Sequence, residues 1–364
     1  MKKKSLFVAA LAALTMATSC SQDEQQSVNT GRAISFNAAL DVTRGADMVT
    51  KNLEDNGFWA VALGNKDGGD DIYFNEKFTK EGTSWVSKDK HFWPEYDLKF
   101  YAHAPEAATN GFTADKKNIT GFTVNKDITK QIDLVAGYAV GNKTNNSTKG
   151  VELSLSHALS KISLKVKGTN TAYKCVIKSA SIGNLSNTGE FNIETAEWTK
   201  QGGKDVYTQS WVGSPITIDG LQGTKDLTID GGLKLMPQNI TAWNFKKDKI
   251  TSTMDGTYIC MYIVLTTKAG AAVFEGNTYV PVPALAWTAN KHYIYTVDFT
   301  DGFGYRGGVD KPSEPTNPNP PIDPGTDPDK PVIDTKNPIK FINVQVKEWN
   351  NQQQSDISGK TEDK

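Results

Sequence analysis

Four histidines, three cysteines and three arginines are the residues from which specific chemistry would be built in this 364-residue chain. His91, His103, His157 and His292 are scattered, and none stands in a His-Glu-x-x-His or comparable ligand spacing, so no metal site is expected. The chain has no Gly-x-Ser-x-Gly nucleophile turn and no glycine-rich phosphate loop. His157 closes the alternating run Val151–His157 on its inward face, which suits a hydrogen-bonded core histidine better than a catalyst. The segment 65–71 is rich in Asp and Asn but lacks the EF-hand spacing and its terminal Glu, and reads as a solvated turn. The chain is therefore read as non-enzymatic, with no cofactor.

Covalent processing is better supported. Lys2, Lys3 and Lys4 precede an uncharged run of twelve residues, Leu6 to Ala17. That run is shorter than the about 20 residues of a transmembrane helix but fits the core of a secretory signal over 1–19. It ends in Ala17, Thr18, Ser19 and Cys20, small residues before a cysteine, which resembles a bacterial lipobox. Cys20 is then the lipidation site and the mature N-terminus, any membrane attachment being by lipid, with 20–33 as a linker. Ser21, Gln22, Asp23 and Glu24 resemble the export signal of surface lipoproteins. The second candidate is Arg44, one of three arginines beside Arg32 and Arg306 in a chain whose other basic residues are all lysine. A trypsin-like protease cutting between Arg44 and Gly45 would release everything before it. Cys175 and Cys260 sit in alternating apolar stretches and read as two buried small hydrophobes, with a disulfide between them as the alternative.

Composition narrows the partners. Lys and Arg number 40 against 41 Asp and Glu, a formal net charge of −1, so the concentrated basic surface of a nucleic-acid binder is not expected. Eight Trp, 15 Phe and 12 Tyr are too many for a disordered chain. The length exceeds the roughly 250–300 residues at which a single core stops growing, which favours two domains.

The elements that must position these residues read as short strands. Phe58–Leu63, Leu98–His103, Val151–His157 and Tyr293–Phe299 alternate or run apolar, and Gly, Asn and Asp clusters separate them. No stretch of 12 or more residues keeps a helical period. The fold class is all-β, of the sandwich kind. The Gly-rich break Lys200–Lys204 divides an N-terminal sandwich, 34–199, from a C-terminal one, 200–304. A linker over 305–337 follows, and nine of the 15 prolines lie between Pro312 and Pro338. Such a segment is extended and builds no core.

Two strands at the ends stand out. Ile34, Phe36, Ala38, Leu40 and Val42 alternate with mostly polar residues and end just before Arg44, so a cut there would remove the strand and leave an unpaired groove. Within 338–364, Ile339 and Phe341 share one face while Val344 and Val346 share the other, and Trp349 follows. A β-bulge near Phe341 would restore a single buried face. A tethered strand cannot bury that face alone; it adds to a sheet edge of its own chain or of another molecule.

Taken in order along the mature chain, several motifs resemble the fimbrillin family, the type V pilins of Gram-negative anaerobes. They are the lipobox at Cys20, Ile34-Ser35-Phe36, Thr43-Arg44, Phe58–Val61, Phe92-Trp93-Pro94, Leu98–Pro105, His157–Ile162, Leu235–Gln238, Trp287–Tyr293 and Val344–Trp349. The resemblance implies two tandem transthyretin-like β-sandwich domains plus the tethered C-terminal strand, in a lipoprotein precursor. It also implies cleavage after an arginine, here Arg44, and polymerisation with other copies or related pilin subunits by strand exchange. Strand 34–42 then plugs a groove, and Ile339, Phe341, Val344, Val346 and Trp349 are the side chains that fill it. Gly45 departs from the Ala that many relatives place after the cut.

The rival reading is a non-polymerising surface lipoprotein that binds glycans or mediates adhesion, with Trp198, Trp211 and Trp243 as candidate sugar-stacking rings against a packing role. Such a protein has no use for Arg44 or for a donor strand, and it predicts that 339–349 folds back on its own chain.

Overall fold

The computed structural model describes residues 32–40, 50–168, 170–211, 213–220, 223–228, 231–243, 256–306 and 340–349. Alternating and β-branched runs fold as expected into strands, and the longest helix among the described residues, α1 (Thr50–Asn56), has seven residues. The first strands are β1 (Phe36–Leu40), β2 (Phe58–Leu63), β3 (Ile72–Glu81), β4 (Ser84–Ser87), β5 (Leu98–Ala104), β6 (Thr113–Asp115) and β7 (Asn118–Thr123). Next come β8 (Val135–Gly141), β9 (Val151–His157), β10 (Ser160–Lys167), β11 (Tyr173–Leu185), β12 (Thr188–Asn192), β13 (Glu197–Gly202) and β14 (Asp205–Ser210). Short pieces follow: β15 (Ile216–Ile218), β16 (Lys225–Asp226), β17 (Leu233–Leu235) and β18 (Asn239–Ile240). The last are β19 (Tyr258–Thr267), β20 (Ala272–Pro281), β21 (Leu285–Ala286), β22 (Lys291–Asp298), β23 (Tyr305–Arg306) and β24 (Lys340–Glu348).

Seven strands close a circuit in the order β1-β4-β3-β2-β5-β8-β9. Their inward side chains, among them Phe36, Phe58, Phe78, Trp85, Phe100, Leu153 and Leu155, form one apolar cluster. The sheet therefore closes on itself, and β1 is the strand that closes it. It lies parallel to β9 from Phe36↔Val151 to Leu40↔Leu155 and antiparallel to β4 at Phe36↔Trp85. A small sheet, β13-β12-β7-β6, contributes Ile119, Phe122 and Phe191 to a second cluster, which also holds the barrel residues Val61, Leu63 and Tyr101.

Most of the remaining strands form two facing sheets, while β18 and β21 pair with each other. One runs β16-β10-β22-β24, with β17 also on β10; the other runs β14-β11-β19-β20-β23, with β15 also on β11. Ile162, Leu164, Tyr295 and Val297 of the first share a core with Ile177, Ile259, Met261 and Leu265 of the second.

The pairing does not follow the division expected at Lys200–Lys204. That segment spans the end of β13 and the tight turn into β14. Strands β10 and β11, assigned from sequence to the N-terminal sandwich, pair instead with C-terminal strands, β10 parallel to β22 and β11 antiparallel to β19. The change of sheet system falls between β9 and β10, at Ala158 and Leu159. A parallel partner 131 residues away, Lys161↔His292, leaves no local signal, and a Gly-Gly pair marks a turn as readily as a linker.

Candidate functional site: the two terminal strands

The N-terminal strand is built around Phe36. Its ring is fully buried and meets Phe78, Phe100 and Phe58 edge-on, with centroids at 4.7, 5.1 and 5.7 Å. Such T-shaped contacts align the positive ring edge with a negative face and add to area burial. Ile34 and Leu40 are also buried, Ala38 is half-buried and Ala39 is exposed, so the alternation read from sequence is the alternation observed.

Backbone bonding of β1 is lopsided. Five residues lie in register with β9, whereas only Phe36 is paired with β4, and the Trp85 indole Nε1–H donates instead to the Ala38 carbonyl at 3.0 Å. The chain end is further held where the Ile34 N–H donates to His91 O at 2.7 Å and Asn37 Nδ2 donates to Lys149 O at 2.7 Å and Glu152 Oε1 at 2.8 Å. Removing β1 would uncover Phe58, Phe78, Phe100 and Trp85 together with the open edge of β9. The sequence showed the apolar alternation of β1 itself; it did not show that Phe36 sits at the centre of these rings. Val42, Arg44, Gly45 and Cys20 lie outside the described residues.

The C-terminal strand returns to its own chain. It pairs antiparallel with β22, from Lys291↔Glu348 to Asp298↔Lys340. Between Tyr295↔Val344 and Val297↔Phe341 the register shifts, so β24 carries one extra residue. This is the bulge expected near Phe341. Val344 is half-buried against the core, Val346 is 38% exposed and Trp349 is buried. Ile339 and the side chain of Phe341 lie outside the described residues.

Other sequence candidates turn inward. Trp243 is buried, and Trp198 and Trp211 are partly buried against the core, with the Trp198 Nε1–H donating to Ala158 O at 2.6 Å. Cys175 pairs with Leu265 of β19, five residues along that strand from Cys260, beyond the reach of a disulfide. Burial pushes the Cys175 thiol well above its usual range. In the 65–71 turn, Asn65 Oδ1 accepts from the backbone N–H groups of Asp67 and Gly69 at 2.9 and 2.6 Å. A cavity of about 300 Å³ opens beside this turn and Tyr96. Three of its polar side chains are already engaged: Asn65 with Asp71, Asp97 with Asn142, and Lys99 with Asp70. The Asp70 carboxylate, held by Lys117 and Lys99, sits below its usual pKa.

A profile described as fimbrillin-like matches residues 43–315. The chain belongs to the fimbrillin-like family. Membership supports a pilus- or adhesion-related subunit. A fimbrial protein from Bacteroides vulgatus aligns in structure with a TM-score of 0.54 at 19% identity, covering 74% of this chain and 95% of that one. At that identity the likeness is one of fold. A candidate cell adhesion protein from Bacteroides uniformis aligns at a TM-score of 0.43 and 17% identity, covering 89% and 100% of the two chains. No curated protein sequence matches the chain. Among the described residues of this fimbrillin-like chain, no helix is long and apolar enough to cross a membrane.

Proposed function

We propose that this fimbrillin-like chain is a structural, non-enzymatic pilus subunit or pilus-associated lipoprotein. It is anchored through Cys20 at the outer membrane surface, matured by a trypsin-like protease after Arg44, and assembled with other copies or related subunits by strand exchange. One observation carries the reading. The strand that closes the barrel supplies Phe36, the centre of the barrel's aromatic cluster, yet is laddered along its length on one side only. A strand so placed is a removable plug: its loss opens a groove with apolar walls and unpaired backbone, which a donor strand would fill. Association would be apolar and backbone-mediated, with no nucleic acid, metal or cofactor.

A second reading, a surface adhesive or glycan-binding lipoprotein that stays monomeric, is favoured by the pairing of β24 with β22 of the same chain. Limited trypsin digestion of the mature protein, followed by N-terminal sequencing and size-exclusion chromatography, separates the two. Strand exchange predicts a dominant cut after Arg44 and concentration-dependent oligomers that disappear when 339–349 is deleted. A cut product that stays monomeric at every concentration makes the adhesive module the correct reading.

A further inference from the structure

Among the described side chains of β24, Gln345, Val346 and Glu348 are exposed, Val344 is only half-buried, and the Lys291–Glu348 ion pair lies at the surface. The residue that follows the strand differs. Trp349 is 1% exposed, and its N–H donates to Asn290 O at 3.1 Å. Its indole lies flat on the His157 imidazole, centroids 4.1 Å apart and planes within 7°.

His157 is itself fixed from behind. Its Nδ1 lies 2.8 Å from Asp133 Oδ1, and both side chains are buried, at 0% and 4% exposure. A carboxylate on one ring nitrogen sets the tilt of an imidazole and leaves its face free for a neighbour. Nε2 has no hydrogen-bond partner among the described residues, so the ring's contact with Trp349 is a stacking contact rather than part of a longer polar network. His157 also closes β9, two residues beyond Leu155, where β1 pairs. The strand against which the N-terminal plug lies therefore also carries the contact that holds the C-terminal strand.

We propose that Asp133 and His157 form a seat for Trp349 that locks the C-terminal strand onto its own chain, and that unseating Trp349 frees the strand for donation. The second half rests on reading β24 as a donor. Over 344–348 the strand is a sheet edge whose side chains are exposed or half-buried, and backbone bonds without packed side chains open readily. Truncating a buried Trp costs enough to shift a local equilibrium by roughly a hundredfold or more.

Hydrogen exchange of the uncleaved full chain, read by mass spectrometry on peptides spanning 340–349, tests the lock. Wild type is expected to protect β24. Trp349→Ala is expected to speed exchange there roughly a hundredfold or more while β11 and β19 keep their protection, with Trp349→Phe in between. His157→Gln is expected to act in the same direction. Unprotected β24 in wild type, unchanged β24 exchange in Trp349→Ala, or a rise only in step with the whole sandwich overturns the proposal. Because no cleavage or oligomer enters the measurement, its failure removes the lock and leaves strand exchange standing. If strand exchange fails while β24 opens in Trp349→Ala, the seat remains as a clamp of the monomer.

Discussion

The strands β1 and β24 lie towards opposite ends of the chain, and they are secured by opposite means. β1 is short, but it sits inside a closed circuit with Phe36 among three other rings, so its side chains hold it and its backbone is bonded unevenly. β24 is nearly twice as long, but it is a sheet edge with a bulged ladder to β22, its side chains over 344–348 are exposed or half-buried, and a buried tryptophan follows it. Under the proposed strand exchange, the difference gives them different roles. A strand held by side chains in a core would leave only after an event such as cutting the chain, and would leave behind a hole shaped for a replacement. A strand held by an edge ladder and one ring would let go reversibly and pair elsewhere.

The largest expected effect is on the first strand. Phe36→Ala removes the centre of the aromatic cluster and is expected to lower global stability by about 3–5 kcal/mol, measured by urea denaturation. Trp349→Ala should barely move the same midpoint; equal global losses for the two variants would erase the contrast. The next effect is an acid sensitivity confined to the barrel. His103 of β5 is buried, and burial pushes its pKa down to about 4. The unfolded chain takes up that proton below about 6.5, whereas the folded barrel resists until about 4. Stability should thus be unaffected by this group above pH 6.5 and fall by about 3 kcal/mol as pH drops through that window. His103→Leu is expected to lose this slope relative to wild type in paired denaturation curves at pH 7 and 4.5. The smallest effect is at the edge: Glu348→Gln breaks an exposed ion pair with Lys291 and should change stability by less than about 1 kcal/mol.

Much of this contrast could be read before folding was considered. The alternation Ile34, Phe36, Ala38, Leu40 was sufficient to place β1's buried face, because a period of two is a local property. The slip between Phe341 and Val344 located the bulge in β24 for the same reason. What escaped was non-local. Nothing near His157 announces a tryptophan 192 residues later as its stacking partner, and nothing in β10 names β22 as its parallel neighbour. The pairings that cross the division expected at Lys200–Lys204 are of this kind: turn residues give position along the chain, while sheet membership depends on pairs far apart in it. Closure of the barrel was hidden likewise, since a strand that plugs a circuit and a strand that edges a sandwich share one alternating pattern.

The claim at the centre of this account is that the place of β1 can be taken by the C-terminal segment. The most direct test uses the chain cut after Arg44 and lacking its own residues 339–349, titrated with a synthetic peptide of that sequence while thermal unfolding and peptide binding are followed. The account predicts saturable one-to-one binding that raises the unfolding temperature, competed by a peptide spanning 34–42. Binding of the 34–42 peptide without any binding of 339–349 would contradict it, because the groove would then accept only the strand it lost.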